Sequence, residues 1–194
     1  GRADIMHILD ELQQHGTTII LVTHHRDEFV NADRIIRLDN GRIVQSARGN
    51  TASIPEMDES DTAQEDNPIA KSNIANGALK PTSAVPIIEI RNLIYQYPNS
   101  SKPVLDKLSI TINKGETVAI TGHNGAGKTT LARLLCALDQ PQSGNITINT
   151  IPVARQRANG NMQSLKRADR EKLRATIGYV MQHPERQLFA ETVA

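Results

Sequence analysis

Apolar positions at the start of the chain recur at helical spacing: Ile5, Ile8, Leu9 and Leu12 form one stripe, and Gly16 is placed to stop the helix. The pattern then becomes continuous. Residues 17–23 (TTIILVT) are a short β-branched run of the kind buried on both faces of a parallel sheet, delivering His24 and His25 at the C-terminal end of the strand. In open α/β sheets that edge binds ligands. A short polar helix is expected over residues 27–32. Beyond it, strands at 34–38 and 42–45 flank Asp39-Asn40-Gly41, a hairpin signal because Asn-Gly accepts positive φ at both central positions.

Residues 46–86 show neither period. They are rich in Ser, Thr, Asn, Asp, Glu, Ala and Pro, carry no aromatic residue, and read as a disordered linker. Alternation returns at 87–97 and more clearly at 108–112, Lys114-Gly115 turns the chain, and 116–121 (ETVAIT) forms a strand. An apolar helix is expected over 129–138, followed by a turn at 141–144, a strand at 146–149, a polar stretch, and a strand at 176–180 that delivers Met181 and Gln182. Strands alternating with helices indicate an α/β architecture.

Charge sharpens this division. Residues 1–50 hold six Lys/Arg against seven Asp/Glu, residues 51–86 two against six, and residues 87–194 fourteen against eight. The middle is acidic and the end basic. Arg155, Arg157, Lys166, Arg167, Arg170, Lys172 and Arg174 cluster, yet Asp169 and Glu171 interrupt them and no aromatics are interleaved for base stacking, so a solvated helix face is expected and no nucleic-acid partner. No apolar run approaches the roughly 20 residues that cross a bilayer, so a soluble chain is expected. The single cysteine, Cys136, reads as a small core residue in a reducing setting.

The chemistry lies between the 116–121 strand and the helix after it. Gly122-His123-Asn124-Gly125-Ala126-Gly127-Lys128-Thr129 fits G-x-x-x-x-G-K-[ST], with Thr130 following. Glycines let the backbone curl so that successive N–H groups point at an anion, Lys128 can meet the outer phosphates, and Thr129 can offer its hydroxyl to Mg²⁺. Strand, loop and helix is the order this chemistry requires.

These motifs resemble a known family. Tyr97 before the loop, GHNGAGKTT at 122–130 and Gln182 in GYVMQ are similar to the N-terminal half of an ABC-type ATPase domain, a P-loop NTPase. LVTH at 21–24, followed by ADRIIRLDNGRIV at 32–44, resembles the C-terminal end of another such domain. The expected organisation is therefore residues 1–45 as the end of one ABC domain, 46–86 as linker, and 87–194 as the start of a second, a fragment across the junction of a tandem protein. QHPERQLF at 182–189, followed by ETV, is similar to the cobalt and energy-coupling-factor branch, whose importers take up vitamins and metal ions.

The resemblance implies specific roles. Tyr97 would stack on adenine, with Tyr95 the weaker candidate; Gly122, His123, Asn124, Gly125, Ala126, Gly127, Lys128, Thr129 and Thr130 would hold the ATP phosphates; Mg²⁺ would lie between Thr129 and Gln182. His24 would be the switch histidine at the γ-phosphate. The partners implied are ATP, membrane-embedded transporter subunits and a second ABC domain of the same parent, at the cytoplasmic face of the membrane. Two departures stand out: no Leu-Ser-Gly-Gly-Gln-like signature occurs, and no apolar run ends in Asp-Glu. The chain is thus expected to bind ATP weakly at best and not to hydrolyse it. A soluble ABC ATPase acting in translation and a non-catalytic nucleotide-binding piece are the rival readings. Residues 1–45 could also dock on 87–194, as in a circular permutation, with a gap left in the sheet where the Asp-Glu strand belongs.

Overall fold

The computed structural model describes residues 2–23, 31–48 and 85–180. Helix α1 (Arg2–Gln14) ends before Gly16, whose φ of +85° lets the chain turn into strand β1 (Ile19–Val22). Strands β2 (Arg34–Asp39) and β3 (Arg42–Arg48) form the expected hairpin, with Asn40 and Gly41 at φ +46° and +74°. β3 runs on through Ser46 and Arg48, where the polar composition suggests linker. Then come β4 (Pro86–Tyr95), β5 (Leu105–Asn113), β6 (Thr117–Thr121), helix α2 (Lys128–Leu135), β7 (Ser143–Ile148), β8 (Ile151–Gln156), β9 (Met162–Gln163) and helix α3 (Arg167–Thr176).

The strands make two sheets. β5-β4-β7-β8-β9 is antiparallel throughout. The other has the order β1-β6-β2-β3, so β6, which feeds the glycine loop, lies between two strands from the beginning of the chain. Both pairings are parallel: Ile20 aligns with Val118 and Val22 with Ile120 on one side, Ile35 with Ala119 and Arg37 with Thr121 on the other. All five β6 residues are buried, as a central strand covered on both faces requires. Residues 2–23 and 31–48 therefore dock on residues 85–180. Among the described strands the expected gap is absent, because β1 hydrogen-bonds β6 directly.

Polar contacts fix this docking as well as apolar ones. Ile36 and Leu38 share one core with Leu105, Val118, Ile120, Leu131 and Leu134. Arg34 and Glu116 are nearly buried, at 14% and 9% side-chain exposure. Arg34 Nε lies 2.9 Å from Glu116 Oε1 but off the hydrogen-bond direction, and Nη2 donates to Thr111 O at 2.5 Å and to Glu116 Oε2 at 3.4 Å. Burial lowers the Arg34 pKa, and the Glu116 carboxylate opposes that shift. Asp33 Oδ2 accepts from Thr117 N–H at 2.8 Å, and Thr18 Oγ1 accepts from Gly115 N–H at 2.9 Å.

Three expectations need correction. β1 is an edge strand, not one buried on both faces, and Val22 is exposed. Of the α1 stripe, Ile5, Ile8 and Leu12 face outward, and Leu9 with Met6 turns toward Ile19, Leu21 and Ala32 across a small cavity. Residues 176–180 form no strand: Thr176 closes α3, Ile177 N–H is taken by Leu173 O, and the extended backbone beyond has no ladder partner among the described residues. The polar stretch after β7 contains β8, β9 and α3, and α3 carries Arg167, Arg170, Lys172 and Arg174 as an exposed cationic face while burying Leu173. Residues 27–30 of the polar helix expected at 27–32 lie outside the described residues.

Candidate phosphate-binding site

β6 ends at Thr121 and α2 begins at Lys128, so residues 122–127 must reverse the chain tightly between them. Glycine conformation makes this possible. Gly122, Gly125 and Gly127 have φ of +145°, +88° and +101°, a region L side chains rarely adopt. Space adds a second constraint at Gly122 and Gly127. A Cβ on Gly122 would approach Leu38 O, and one on Gly127 would sit 2.7 Å from Leu105 Cδ2 and 2.9 Å from Val104 O. Ala126 N–H donates to His123 O at 3.2 Å, closing the curl.

The beginning of the chain supports this loop from below. Gly41 N–H donates to Ala126 O at 3.2 Å, Gly41 O accepts from Asp106 N–H at 3.1 Å, and Arg42 Nε donates to Asp106 Oδ2 at 3.0 Å. The β2–β3 turn is wedged between the glycine loop and the start of β5. A Cβ on Gly41 would fall on the backbone of Val104 and Leu105, so only glycine permits the approach.

Lys128 lies across the loop. Its Nζ donates to Gly122 O at 2.7 Å and His123 O at 2.9 Å, and burial holds its ammonium below the usual lysine range. Thr129, on the first turn of α2, is exposed, which suits a hydroxyl offered to a cation. Thr130 is buried and its Oγ1 lies 3.1 Å from Tyr97 Oη, so this hydroxyl holds the tyrosine. Tyr97 follows the end of β4, packs edge-on against Tyr95 with centroids 5.0 Å apart at 89°, and keeps 38% of its surface exposed. Tyr95 is buried in the core, which leaves Tyr97 as the available ring.

Next to this pair, Arg133 grips Asp139 with two bonds of 2.7 and 3.1 Å at the end of α2, and that bond raises the Arg133 pKa beyond its already high value. Cys136 is half-buried there, and burial pushes its thiol up, as expected of a packed and unreactive cysteine. Among the described residues no three His, Cys, Asp or Glu side chains gather as a metal site. His24 and Gln182, expected at the γ-phosphate and Mg²⁺, lie outside the described residues.

Tyr97, the glycine loop, Lys128 and Thr129 thus converge at the C-terminal end of β6. The triphosphate fits this arrangement in kind: curled backbone with little room for side chains, an ammonium over it, and a hydroxyl at the helix start. Comparison with known proteins agrees, since residues 105–194 match the family model described as ABC transporter. This part of the chain is similar to that family. The whole chain is 42% identical, over 218 residues, to a putative ABC transporter ATP-binding protein of Bifidobacterium longum, covering 100% of this chain and 28% of that protein. An energy-coupling factor transporter ATP-binding protein of Latilactobacillus sakei is 41% identical over 107 residues, 55% of this chain and 34% of that one. A solved structure of cbiO1 from Clostridium perfringens, part of the ABC transporter complex cbiONQ, aligns at 32% identity and a TM-score of 0.45, covering 54% of this chain and 38% of that one. The chain spans about a third or less of the length of the curated relatives it matches.

Sequence reasoning missed Asp39, Gly41 and Arg42 as parts of the site. The Asn-Gly signal reveals the turn, but no local signal says that it lies under a loop more than 80 positions away.

Proposed function

We propose that the chain binds ATP at its glycine loop, as part of the ATP-binding subunit of an ABC transporter that couples ATP binding and hydrolysis to solute transport. The observation that carries this reading is the curl of residues 122–127, with Lys128 Nζ within 3 Å of two loop carbonyls. Loop amides would receive the phosphate oxygens, Lys128 would exchange its carbonyl partners for the outer phosphates, and Tyr97 would offer its exposed face to adenine. Mg²⁺ supplies charge neutralisation when bound; Thr129 would hold it, with Gln182 as the second ligand, and His24 would act at the γ-phosphate. The likeness to an energy-coupling factor protein favours import, of a vitamin or metal ion, with membrane-embedded partners and a peripheral place at the cytoplasmic face. Among the described residues no helix is long and apolar enough to cross a membrane.

Residues 1–45 are read as the end of one ABC domain and 87–194 as the start of a second. The relative that aligns with the whole chain has counterparts of both in one polypeptide. Without a signature-like run or an apolar strand that ends in Asp-Glu, the 194-residue chain binds ATP weakly at best and does not turn it over. An ATPase assay on the chain and on Lys128→Ala tests this. Both should be inactive, while Lys128→Ala should weaken ATP binding about 10- to 150-fold, as loss of a charged hydrogen-bonding group predicts. Turnover that vanishes in Lys128→Ala would overturn the non-catalytic reading, and equal ATP binding by both would overturn the site.

A second reading is favoured by the sheet order β1-β6-β2-β3: residues 2–23 and 31–48 complete the glycine-loop unit within the same chain, as in a circular permutation. The nucleotide site is then bipartite in sequence, its phosphate loop from one segment and its supporting turn from the other.

A further inference from the structure

We propose that Asp39 is a positioning residue of the glycine loop, acting through His123 to hold the first half of the loop in its anion-binding curve. The His123 ring faces an acceptor at each nitrogen. Nε2 lies 2.8 Å from Asp39 Oδ1 and Nδ1 lies 2.6 Å from Asn124 O, so the ring is held between a carboxylate and a loop carbonyl, and its tautomer sets which nitrogen donates. The same Asp39 oxygen accepts from Asn40 Nδ2 at 3.3 Å. The His123 carbonyl accepts from Lys128 Nζ at 2.9 Å and from Ala126 N–H at 3.2 Å. One carboxylate of the β2–β3 turn thereby reaches the loop backbone at His123 and Asn124 and, through the His123 carbonyl, Ala126 and Lys128.

The hairpin does not depend on this contact for its seat. Arg42 with Asp106, and the Gly41 backbone bonds to Ala126 and Asp106, hold it separately, so Asp39 can be changed without releasing the turn. Both partners are about half exposed, at 54% and 42% of their side chains, which sets the scale of the effect. An ion pair of that exposure gives changes of about 1.4- to 5-fold.

The test is a double-mutant cycle on the full chain with Asp39→Ala, His123→Ala and both together, with Asp39→Asn as the variant that keeps an oxygen acceptor. The first readout is hydrogen exchange at the Ala126 amide, which needs no ligand. Each alanine variant should speed it by about two- to five-fold, the double variant no further, and Asp39→Asn should restore most of the protection, with β4 and β5 amides unchanged. The second readout, resting on the nucleotide reading above, is the dissociation constant of ATP and of inorganic triphosphate, which should rise by the same factor with the same lack of additivity. Unchanged Ala126 exchange in Asp39→Ala, or effects that add in the double variant, would overturn the proposal. Failure of every variant and of the parent chain to bind ATP would refute the nucleotide reading alone, because the exchange cycle still decides the role of Asp39.

Discussion

Replacing Gly41 by alanine should lift the β2–β3 turn from beneath the glycine loop. The added Cβ would fall on Val104 O and lie 2.8 Å from Val104 C and 2.9 Å from Leu105 Cα, all backbone atoms that cannot swing aside. Its φ of +74° adds a conformational penalty of about 1–2 kcal/mol for an L residue. Forcing the backbones apart adds about 1–3 kcal/mol, the usual scale of overpacking. Gly115 provides a control, because it shares φ +74° yet has nothing within 4 Å of its would-be Cβ. With a urea m-value of about 2 kcal/mol/M, the midpoint should fall by about 1–2.5 M for Gly41→Ala and by about 0.5–1 M for Gly115→Ala. Urea unfolding followed by circular dichroism measures both. Equal midpoints for the two variants would refute the wedge between the turn and β5, and with it the claim that the first segment supports the loop.

Two further substitutions test other links. Glu116→Ala leaves the Arg34 guanidinium nearly buried with the Thr111 carbonyl as its remaining partner, and should cost about 3–5 kcal/mol in urea unfolding, whereas Arg34→Met with Glu116→Leu should recover most of that loss. Tyr97→Ala should weaken ATP binding by about 2- to 12-fold and leave inorganic triphosphate unaffected, while Tyr97→Phe, which loses only the Thr130 contact, should keep most of the affinity; equal losses for both ligands would remove the adenine role.

Local chemistry was legible where a residue's own backbone carries the information. Asn40-Gly41 announces positive φ at two successive positions, and Gly122, Gly125 and Gly127 announce a curl that ends on a helix. Helix α1 was readable as a helix, but its apolar stripe did not reveal which face is buried, since of its four members Leu9 packs, with Met6, while Ile5, Ile8 and Leu12 are exposed. Residues 176–180 look like a strand by composition, yet a strand needs a ladder, and the Ile177 N–H is already spent on closing α3. Helix α3 was legible only as a solvated cationic face, without bounds, because one side chain, Leu173, is all it buries, too little to mark a period. Least legible was how β6 is seated. The family resemblance suggested that residues 1–45 dock on 87–194, but Arg34 and Glu116 are 82 positions apart and no local signal pairs them.

Amide hydrogen exchange of the full chain across β1 and β6 tests the central claim most directly. If the strand that feeds the glycine loop is held between β1 and β2, the amides of Ile19, Thr23 and Asp33, which donate to Glu116, Ile120 and Thr117, should be protected together with those of Val118 to Ile120 and lost in one cooperative opening. Free exchange at Ile19 and Thr23 beside a protected β6 would contradict it.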